Sequence, residues 1–347
     1  MAKLGVVSRI AANLVAFGFI AAWATFASGQ AAPASVPAIV GDAKAADINV
    51  GEWLKRLHDA SRQRAFVGTF VVSAGSAFSS ARIWHACDGI DQVERVESLT
   101  GAPRSMFRRN DQVVTFFPES RVAVMEKRES LGLFPNILQT DASTIASFYR
   151  VKAIGRDRVA GHEADVAQMN PVDSWRYGYR VWTEKKSGLV VKLQTFNSDG
   201  RVMEQATFSE LQLGTPVSMA ALTQMMGDTD GYRLEKTDLV KTTAAAEGWV
   251  MKAEVPGFKS LSCLRRPDQK RVNMSHTNTI QWVFSDGLAT VSIFIEDYDP
   301  RHHVRPGLWV LGATHTLKRR MAHWWLTVVG EVPPATLAAF AHGLERK

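Results

Sequence analysis

Hydrophobic and polar residues alternate along most of the chain between residue 65 and about residue 212. In residues 65–73, AFVGTFVVS, the side chains of Phe66, Phe70 and Val72 fall on one side of an extended backbone. Gly, Pro, Asn or Asp separates each alternating segment from the next, which is typical of turns between strands. The pattern predicts a large antiparallel sheet of sequential strands and not a βαβ fold.

Residues 189–208, LVVKLQTFNSDGRVMEQATF, give the clearest hairpin signal, with turn residues at 197–200 between two alternating segments. The apolar face is predicted to hold Leu189, Val191, Leu193, Ala206 and Phe208. The opposite, solvated face is predicted to hold Lys192, Gln194, Gln205 and Thr207. A sheet of this length must curl, so the apolar face becomes the inside of a curved sheet.

Other segments have a different pattern. Residues 50–64 have helical spacing, with Trp53, Leu54 and Leu57 in one stripe. The segment 129–150 interrupts the strands and predicts a loop and a short helix, which with the first helix would cover the concave face. Beyond residue 245 a second alternating set follows and ends in a helix that starts at a proline. The fold class is therefore mainly β (α+β), with a large curled sheet and a smaller second sheet.

The N-terminus has the layout of a secretory signal. Lys3 and Arg9 precede an apolar run at 10–27, which is followed by small residues and prolines. Cleavage after Ala27 or after Ala34 fits the pattern, and an uncleaved membrane anchor is the alternative. We expect a signal peptide at 1–34, a first domain at 48–212, a linker at 213–245 and a second domain at 246–347.

Composition agrees with an exported globular protein. The chain has 347 residues, of which 46% are hydrophobic and 22% charged, enough to build two cores. The net charge is +7, and removal of Lys3 and Arg9 with the signal leaves 39 basic against 34 acidic residues, or +5. This charge fits anionic lipid headgroups or an acidic protein as partners, since export excludes nucleic acid, and a plain solvated surface is the alternative. Cys87 and Cys263 are the only cysteines. An oxidising compartment favours a disulfide between them, and two unrelated buried thiols are the alternative.

The chain lacks the local motifs of common catalytic sites, such as G-x-S-x-G, H-E-x-x-H or S-x-x-K with its partner motifs. The segment 297–307, DYDPRHHVRPG, offers Asp297, Asp299, His302 and His303 as metal ligands. Its flanking arginines and adjacent histidines fit a solvated loop better. We expect a protein that is not an enzyme and has no cofactor and no metal.

The apolar inside of a curled sheet has the geometry of a lipid or peptide cavity, although plain core packing explains the same pattern. The residues predicted to line it are Phe66, Phe70, Trp84, Phe116, Tyr149, Leu189, Val191, Leu193 and Phe208. The residues predicted to contact an anionic headgroup or an acidic partner are Arg104, Arg108, Arg109, Arg319 and Arg320. Whether the chain forms a homo-oligomer stays open.

Several segments resemble the RseB/MucB family of proteins. ERVESLTGAPRSMFRRNDQVVTFFPES and YRVWTEKKSGLVVKLQTFNSDGRVMEQATFSEL resemble two of its segments in the first domain. VPGFK, RRP, FSDGLATVSIFIE and LTVVGEVPP resemble family motifs in the second, in the same order. Each motif is short, but their order and spacing over residues 48–345 are specific.

The resemblance implies a periplasmic negative regulator of an envelope-stress sigma factor. Such a protein binds the periplasmic part of a membrane-spanning anti-sigma factor, shields it from proteolysis and releases it when a lipid or lipopolysaccharide fragment binds. The resemblance also implies a first domain similar to the carriers LolA and LolB, a half-open β-barrel with a helical lid. A lipid or lipoprotein carrier is the alternative function, and the second domain argues against it.

Overall fold

The computed structural model describes residues 46–127, 142–236, 239–266 and 279–347. Its larger sheet has 13 strands. These are β1 (Ala46–Asp47), β2 (Phe66–Ala74), β3 (Ala77–Cys87), β4 (Gln92–Ser98), β5 (Ser105–Arg109), β6 (Gln112–Phe117), β7 (Val122–Lys127), β8 (Tyr149–Val159), β9 (His162–Pro171), β10 (Gly178–Glu184), β11 (Val190–Phe196), β12 (Val202–Leu213) and β13 (Arg233–Lys236). The prediction of a mainly β fold with a large sheet is confirmed.

The large sheet consists of two antiparallel meanders joined side by side. The spatial order is β1-β8-β9-β10-β11-β12-β2-β3-β4-β5-β6-β7-β13. Strand β12 pairs antiparallel with β2, although Phe70 and its partner Phe208 are 138 positions apart in the sequence. The last strand, β13, is parallel to β7. The last strand of the second meander therefore pairs with the first strand of the first meander.

Two helices cover the face of the large sheet that carries Phe70 and Leu193, which we call the inner face. Helix α1 (Val50–Gln63) starts at Asn49, whose side chain accepts hydrogen bonds from the N–H groups of Gly51 and Glu52. Its buried residues Leu54 and Leu57 pack with Ile145 of helix α2 (Ala142–Phe148) against strands β8 to β11. The predicted helix at 50–64 is confirmed, and α2 lies within the segment predicted to contain a short helix.

Helix α3 (Met219–Gly227) covers the opposite, outer face, and it lies inside the segment that the sequence predicted to be a linker. Its buried residues Leu222 and Met226, four apart, contact the sheet beside Val93 and Phe107. Strand β13 follows α3 and adds to the large sheet. Residues 213–245 are thus largely folded onto the two sheets and do not form a simple tether.

The second half of the chain builds a sheet of seven strands in the order β14-β16-β17-β18-β21-β20-β19. These are β14 (Val240–Thr242), β16 (Lys259–Arg266), β17 (Thr279–Ser285), β18 (Thr290–Asp297), β19 (Gly307–Leu311), β20 (Thr314–Met321) and β21 (Trp324–Gly330). Helix α4 (Pro334–Gly343) packs Leu337 and Phe340 onto this sheet. A two-stranded ribbon of β15 (Trp249–Met251) and β22 (Leu344–Arg346) completes the unit.

The β11–β12 hairpin has the register expected from its alternation. Leu193 pairs with Ala206 and Gln194 pairs with Gln205, so apolar and polar residues occupy opposite faces. The polar face is less exposed than predicted, because Gln194 is only 5% exposed and its Nε2 donates to Gln205 Oε1 at 2.6 Å. The expectation of a fully solvated face was wrong at this position.

No helix in the described part of the chain is long and apolar enough to cross a membrane. The predicted signal peptide at 1–34 and the apolar insert at 129–141 lie outside the described residues.

Candidate ligand site and domain interface

Five of the residues predicted to line a cavity lie in one buried cluster of the large sheet. They are Phe66, Phe70, Leu189, Val191 and Phe208. The ring of Phe208 meets Phe66 edge-on, with the two ring centroids 6.0 Å apart, and it also contacts Phe70 at 6.3 Å. The inner face is therefore lined by aromatic and aliphatic side chains, as the alternation predicted.

Gly68 provides the space for this aromatic cluster. It stands between Phe66 and Phe70 on β2, and a Cβ atom at Gly68 would lie 2.6 Å from the Phe208 ring. The same atom would lie 2.8 Å from the carbonyl oxygen of Glu210. The ring of Phe208 therefore rests on the glycine, which explains why an alternating apolar strand carries a glycine at this point.

Leu193 and Tyr149 lie in a neighbouring cluster beneath helices α1 and α2. Leu193 packs with Leu54 and Leu57 of α1, so it forms part of the core between helix and sheet. The sequence left plain core packing as the alternative to a cavity lining. That alternative describes Leu193 and Tyr149, which pack under the two helices.

Trp84 and Phe116 lie on the outer face and do not join the predicted cavity lining. Phe66 pairs with His85, so the neighbouring Trp84 points to the other side of the sheet. Pairing through β4 and β5 places Phe116 on the same side as Trp84. Both side chains contact the region covered by α3. The prediction failed because alternation within one strand does not fix its phase relative to distant strands.

A row of polar side chains crosses the inner face next to the aromatic cluster. His85 Nδ1 lies 2.9 Å from Glu94 Oε1, and Arg108 Nε donates to Glu94 Oε2 at 2.8 Å. The imidazole is 2% exposed and stacks on Phe66 with the ring centroids 4.9 Å apart. Its Nε2 atom is buried.

The charges in this row shift the pKa values of both titrating partners. Burial opposes protonation of His85, but hydrogen bonds with Cys87 and Glu94 and the charge of Glu94 raise the pKa of His85 to about 9. Burial opposes ionisation of Glu94, but the hydrogen bond from His85 and the charges of Arg108 and His85 lower its pKa to about 2. The row is thus an imidazolium, a carboxylate and a guanidinium at neutral pH.

The five arginines predicted to contact a partner do not form one surface. Arg104, Arg108 and Arg109 belong to the large sheet around β5, whereas Arg319 and Arg320 lie on β20 of the small sheet. Arg108 is 12% exposed and committed to Glu94, so it is not available to a ligand at the surface. Arg109 pairs with Asp91 at 3.0 Å and is half-exposed.

Cys87 and Cys263 are free thiols in the structure, so the predicted disulfide is not formed. Cys87 ends β3 in the large sheet, while Cys263 is buried in the core of the small sheet. Burial raises the pKa of the Cys263 thiol to about 11. The alternative of two unrelated thiols describes the structure.

An ion pair between Arg176 and Asp286 joins the two halves of the chain. Arg176 Nη1 donates to Asp286 Oδ2 at 2.8 Å, and both side chains are completely buried. Arg176 also donates to Asp173 Oδ1 and to the carbonyl oxygen of Pro256. Tyr149 Oη lies 3.1 Å from Asp286 Oδ2, which gives the carboxylate a second partner from the large sheet.

The turn that carries Asp286 belongs to the FSDGLATVSIFIE segment of the small sheet. Asp286 Oδ1 accepts the N–H groups of Leu288 and Ala289, which fixes the turn between β17 and β18. Leu288 is buried in the cluster of Leu54 and Leu57. The sequence indicated a turn here, but its role at the interface depends on Arg176, more than 100 residues away, and sequence reasoning missed it.

A second contact between the halves involves the turn of the β19–β20 hairpin. Glu204 Oε2 of β12 accepts a hydrogen bond from the Ala313 N–H at 3.3 Å. Burial raises the pKa of Glu204, and burial together with the charge of Glu204 raises the pKa of Glu331 to about 8. The interface therefore brings two carboxyl groups close enough to disfavour ionisation of both.

The loop considered as a metal site is held by its own ion pairs. Arg301 and His302 each contact the Asp299 carboxylate at 2.9 Å, and His303 stacks on Trp325. The described residues contain no cluster of three or more His, Cys, Asp or Glu side chains with the geometry of a metal site.

Comparison with known proteins adds to this geometry. The family model of the MucB/RseB N-terminal domain matches residues 49–226, and that of the MucB/RseB C-terminal domain matches residues 243–345. The sigma factor AlgU regulatory protein MucB of Pseudomonas aeruginosa is 31% identical over 295 residues, which cover 83% of this chain and 88% of that protein. The sigma-E factor regulatory protein RseB of Escherichia coli K12 is 23% identical over 304 residues, or 85% of this chain and 90% of that protein.

A solved structure of MucB in complex with MucA(peri) matches over 86% of this chain and 99% of that chain, with 26% identity and a TM-score of 0.64. The fold is that of a two-sheet protein, in which a curled sheet with an apolar inner face packs against a smaller sheet. The chain belongs to the MucB/RseB family.

Proposed function

We propose that this protein is a periplasmic regulator that binds the periplasmic part of a membrane-spanning anti-sigma factor. In this proposal it protects the anti-sigma factor from regulated proteolysis, and it senses a lipid or lipopolysaccharide fragment through the inner face of the large sheet. Binding of the lipid lowers the affinity for the partner, and by linkage the partner lowers the affinity for the lipid by the same factor.

The observation that carries the proposal is the similarity to MucB over both sheets. MucB has been solved in complex with MucA(peri), and its match to this chain spans both halves of the fold. A domain that served only as a lipid carrier would not need the second sheet. The buried ion pair of Arg176 and Asp286 holds that second sheet in a defined position.

The lipid part of the proposal is supported by the aromatic cluster of the inner face. Phe66, Phe70 and Phe208 form an apolar surface, and the imidazolium of His85 stacks at its edge. An acyl chain would replace contacts between apolar side chains.

Export to the periplasm is part of the proposal and follows from the basic and apolar pattern of residues 1–34. In the periplasm the protein would meet both its membrane-bound partner and free lipid fragments.

Mixing the purified protein with the periplasmic segment of the anti-sigma factor from the same genome tests the proposal. We expect a complex at micromolar concentration, and slower cleavage of that segment by an added site-specific protease than in its absence. A segment that remains unbound at micromolar concentrations of both proteins would contradict the proposal. Lipid uptake without any partner binding would instead support the alternative function, a lipid or lipoprotein carrier.

A further inference from the structure

Strand β19 forms one edge of the small sheet. It pairs only with β20 among the described residues, with Leu308 opposite Leu317 and Leu311 opposite Thr314. The other side of its backbone therefore has no strand partner in the described part of the chain. Natural sheets usually protect such an edge with charged residues, prolines or bulges, because it is a template for pairing with another chain.

The β19 edge lacks this protection. Its four consecutive apolar residues Leu308, Trp309, Val310 and Leu311 are 45%, 42%, 57% and 40% exposed. Alternation places Leu308 and Val310 on one face of the strand and Trp309 and Leu311 on the other, so apolar surface is exposed on both. A continuous exposed apolar patch on a strand edge indicates a binding surface for another chain.

Positive charge surrounds this apolar edge. The sequence from residue 300 to residue 330 contains no Asp or Glu. Arg301 is paired with Asp299, and the other basic residues of this range are Arg305, Lys318, Arg319 and Arg320. Lys318 Nζ lies 5.1 Å from the ring centroid of Trp309, and the Arg320 guanidinium lies 3.9 Å from that of Tyr298. The β19–β20 hairpin is therefore an apolar edge within a positive surface.

We propose that the β19 edge binds an extended segment of the anti-sigma factor's periplasmic part as an added strand of the small sheet. This inference rests on the proposed function and assigns the surface through which it operates. The segment recognised has apolar side chains that cover Leu308 to Leu311 and carboxylates that neutralise the surrounding arginines. Main-chain hydrogen bonds supply affinity in this mode, and side chains on the two faces supply specificity.

A second copy of this chain fits the same edge less well. Pairing β19 with its own copy would bring the basic residues of two hairpins together without any carboxylate from residues 300–330 of either chain. An acidic segment of the partner has the complementary charge.

The position of the hairpin connects this edge with the large sheet. The β19–β20 turn is held by the hydrogen bond from Ala313 N–H to Glu204 Oε2, and a Cβ atom at Gly312 would lie 2.6 Å from Ala74 Cβ. A strand added to β19 therefore ends next to the contact between the two sheets. A change at the inner face of the large sheet can therefore alter partner binding at the β19 edge.

A charged edge tests the inference. The double variant Leu308→Lys/Val310→Lys places charged side chains on β19, as natural sheets do to prevent an edge from pairing. The added positive charge would by itself favour binding of an acidic partner. We expect its dissociation constant for the periplasmic segment of the anti-sigma factor to rise about tenfold or more, because strand pairing is blocked. Leu261→Lys is the matched control, since Leu261 is 61% exposed on β16, an interior strand of the same sheet.

Each result decides between the alternatives. If the unmodified protein forms no complex, the proposed function fails. If it forms a complex and the double variant binds as tightly as Leu261→Lys, the edge is not the binding surface and the inference is overturned. If sedimentation shows that only the unmodified protein self-associates, while partner affinity is unchanged in the variant, the edge binds a second copy and the inference is equally overturned.

Hydrogen exchange on the unmodified protein avoids any effect of the substitutions on folding. We expect those amide protons of residues 308–310 that point away from β20 to exchange at least about tenfold more slowly in the complex, because an added strand accepts hydrogen bonds from them. Unchanged exchange along β19 in a saturated complex would overturn the inference. Adding salt should weaken the complex, and Arg319→Gln/Arg320→Gln should reduce this salt dependence.

Discussion

Arg176 and Asp286 form a completely buried ion pair, with Nη1 and Oδ2 2.8 Å apart, across the contact between the two sheets. Each of the three guanidinium nitrogens of Arg176 donates one hydrogen bond: Nε to Asp173, Nη1 to Asp286 and Nη2 to the carbonyl oxygen of Pro256. The guanidinium also lies over the ring of Phe148, 4.4 Å from its centroid. The pair holds the β17–β18 turn of the small sheet against the end of helix α2.

Removing one partner of this pair should destabilise the protein strongly. In Arg176→Ala the buried carboxylate of Asp286 loses its counter-charge, and we expect a loss of about 3–5 kcal/mol in the free energy of unfolding. Urea denaturation measures this loss. Lys185→Ala is the control, because Lys185 and Glu163 form an exposed pair and should contribute less than about 1 kcal/mol. Equal effects of the two substitutions would show that the Arg176 pair is not desolvated.

A methyl group at Gly68 should disturb the aromatic cluster of the inner face. Gly68→Ala places a Cβ atom 2.6 Å from the ring of Phe208 and close to the backbone of Glu210, which cannot move away cheaply. We expect a loss of about 1–3 kcal/mol in stability, measured by denaturation. Gly227→Ala is the control, since a Cβ atom there meets nothing within 4 Å. A fully stable Gly68→Ala protein would show that the Phe208 ring does not rest on Gly68.

The polar row on the inner face should make stability depend on pH. The pKa of His85 rises from 6.5 to about 9 on folding, so its contribution is complete below pH 6.5 and is lost as the pH rises through 9. The pKa of Glu94 falls from 4.5 to about 2, so its contribution is complete above pH 4.5 and is lost as the pH falls towards 2. The pair therefore stabilises the fold most between pH 4.5 and 6.5.

Titration of His85 by NMR checks this arrangement directly. In Glu94→Gln the imidazole keeps its burial and its contact with Cys87 but loses the carboxylate, so we expect its pKa to fall below that in the unmodified protein. Glu163→Gln, an exposed carboxylate on β9, should leave the His85 titration unchanged. A His85 resonance that titrates identically in the unmodified protein and in Glu94→Gln would rule out the ion pair.

The two thiols should differ in reactivity. Cys263 is buried, and its pKa is raised to about 11, whereas Cys87 is partly exposed. We expect Cys87 to react first with a maleimide in the folded protein, and both to react after denaturation without reductant. Cys263→Ser should keep the fast reaction and Cys87→Ser should abolish it. Denatured protein that reacts with no maleimide until it is reduced would restore the disulfide predicted from the sequence.

The strands of both sheets could be predicted from alternation, since each strand has one face turned to a core. The pairing of β12 with β2 could not, because Phe208 and Phe70 are distant in the chain and no turn connects them. The prediction that Trp84 and Phe116 lie on the inner face was wrong for the same reason, because the face they occupy depends on pairing through several strands. Local patterns predict strands, and long-range pairing assigns their faces.

The residues of the inner face were predicted correctly for the β11–β12 hairpin and for its neighbouring strand β2. Phe66, Phe70, Leu189, Val191 and Phe208 share one cluster as expected. The interface was not predicted, since Arg176 looks like any surface arginine in the sequence and becomes buried only when the small sheet docks. Helix α3 was missed because it has only nine residues and buries only Leu222 and Met226.

The most direct test of the central claim is a lipid titration of the complex between this protein and the periplasmic segment of its anti-sigma factor. The segment is labelled, and its anisotropy is followed as a lipopolysaccharide fragment is added at fixed protein concentration. We expect the anisotropy to fall to the value of the free segment, and the apparent affinity for lipid to weaken as the concentration of the segment rises. A complex that stays intact while lipid saturates the protein would contradict it.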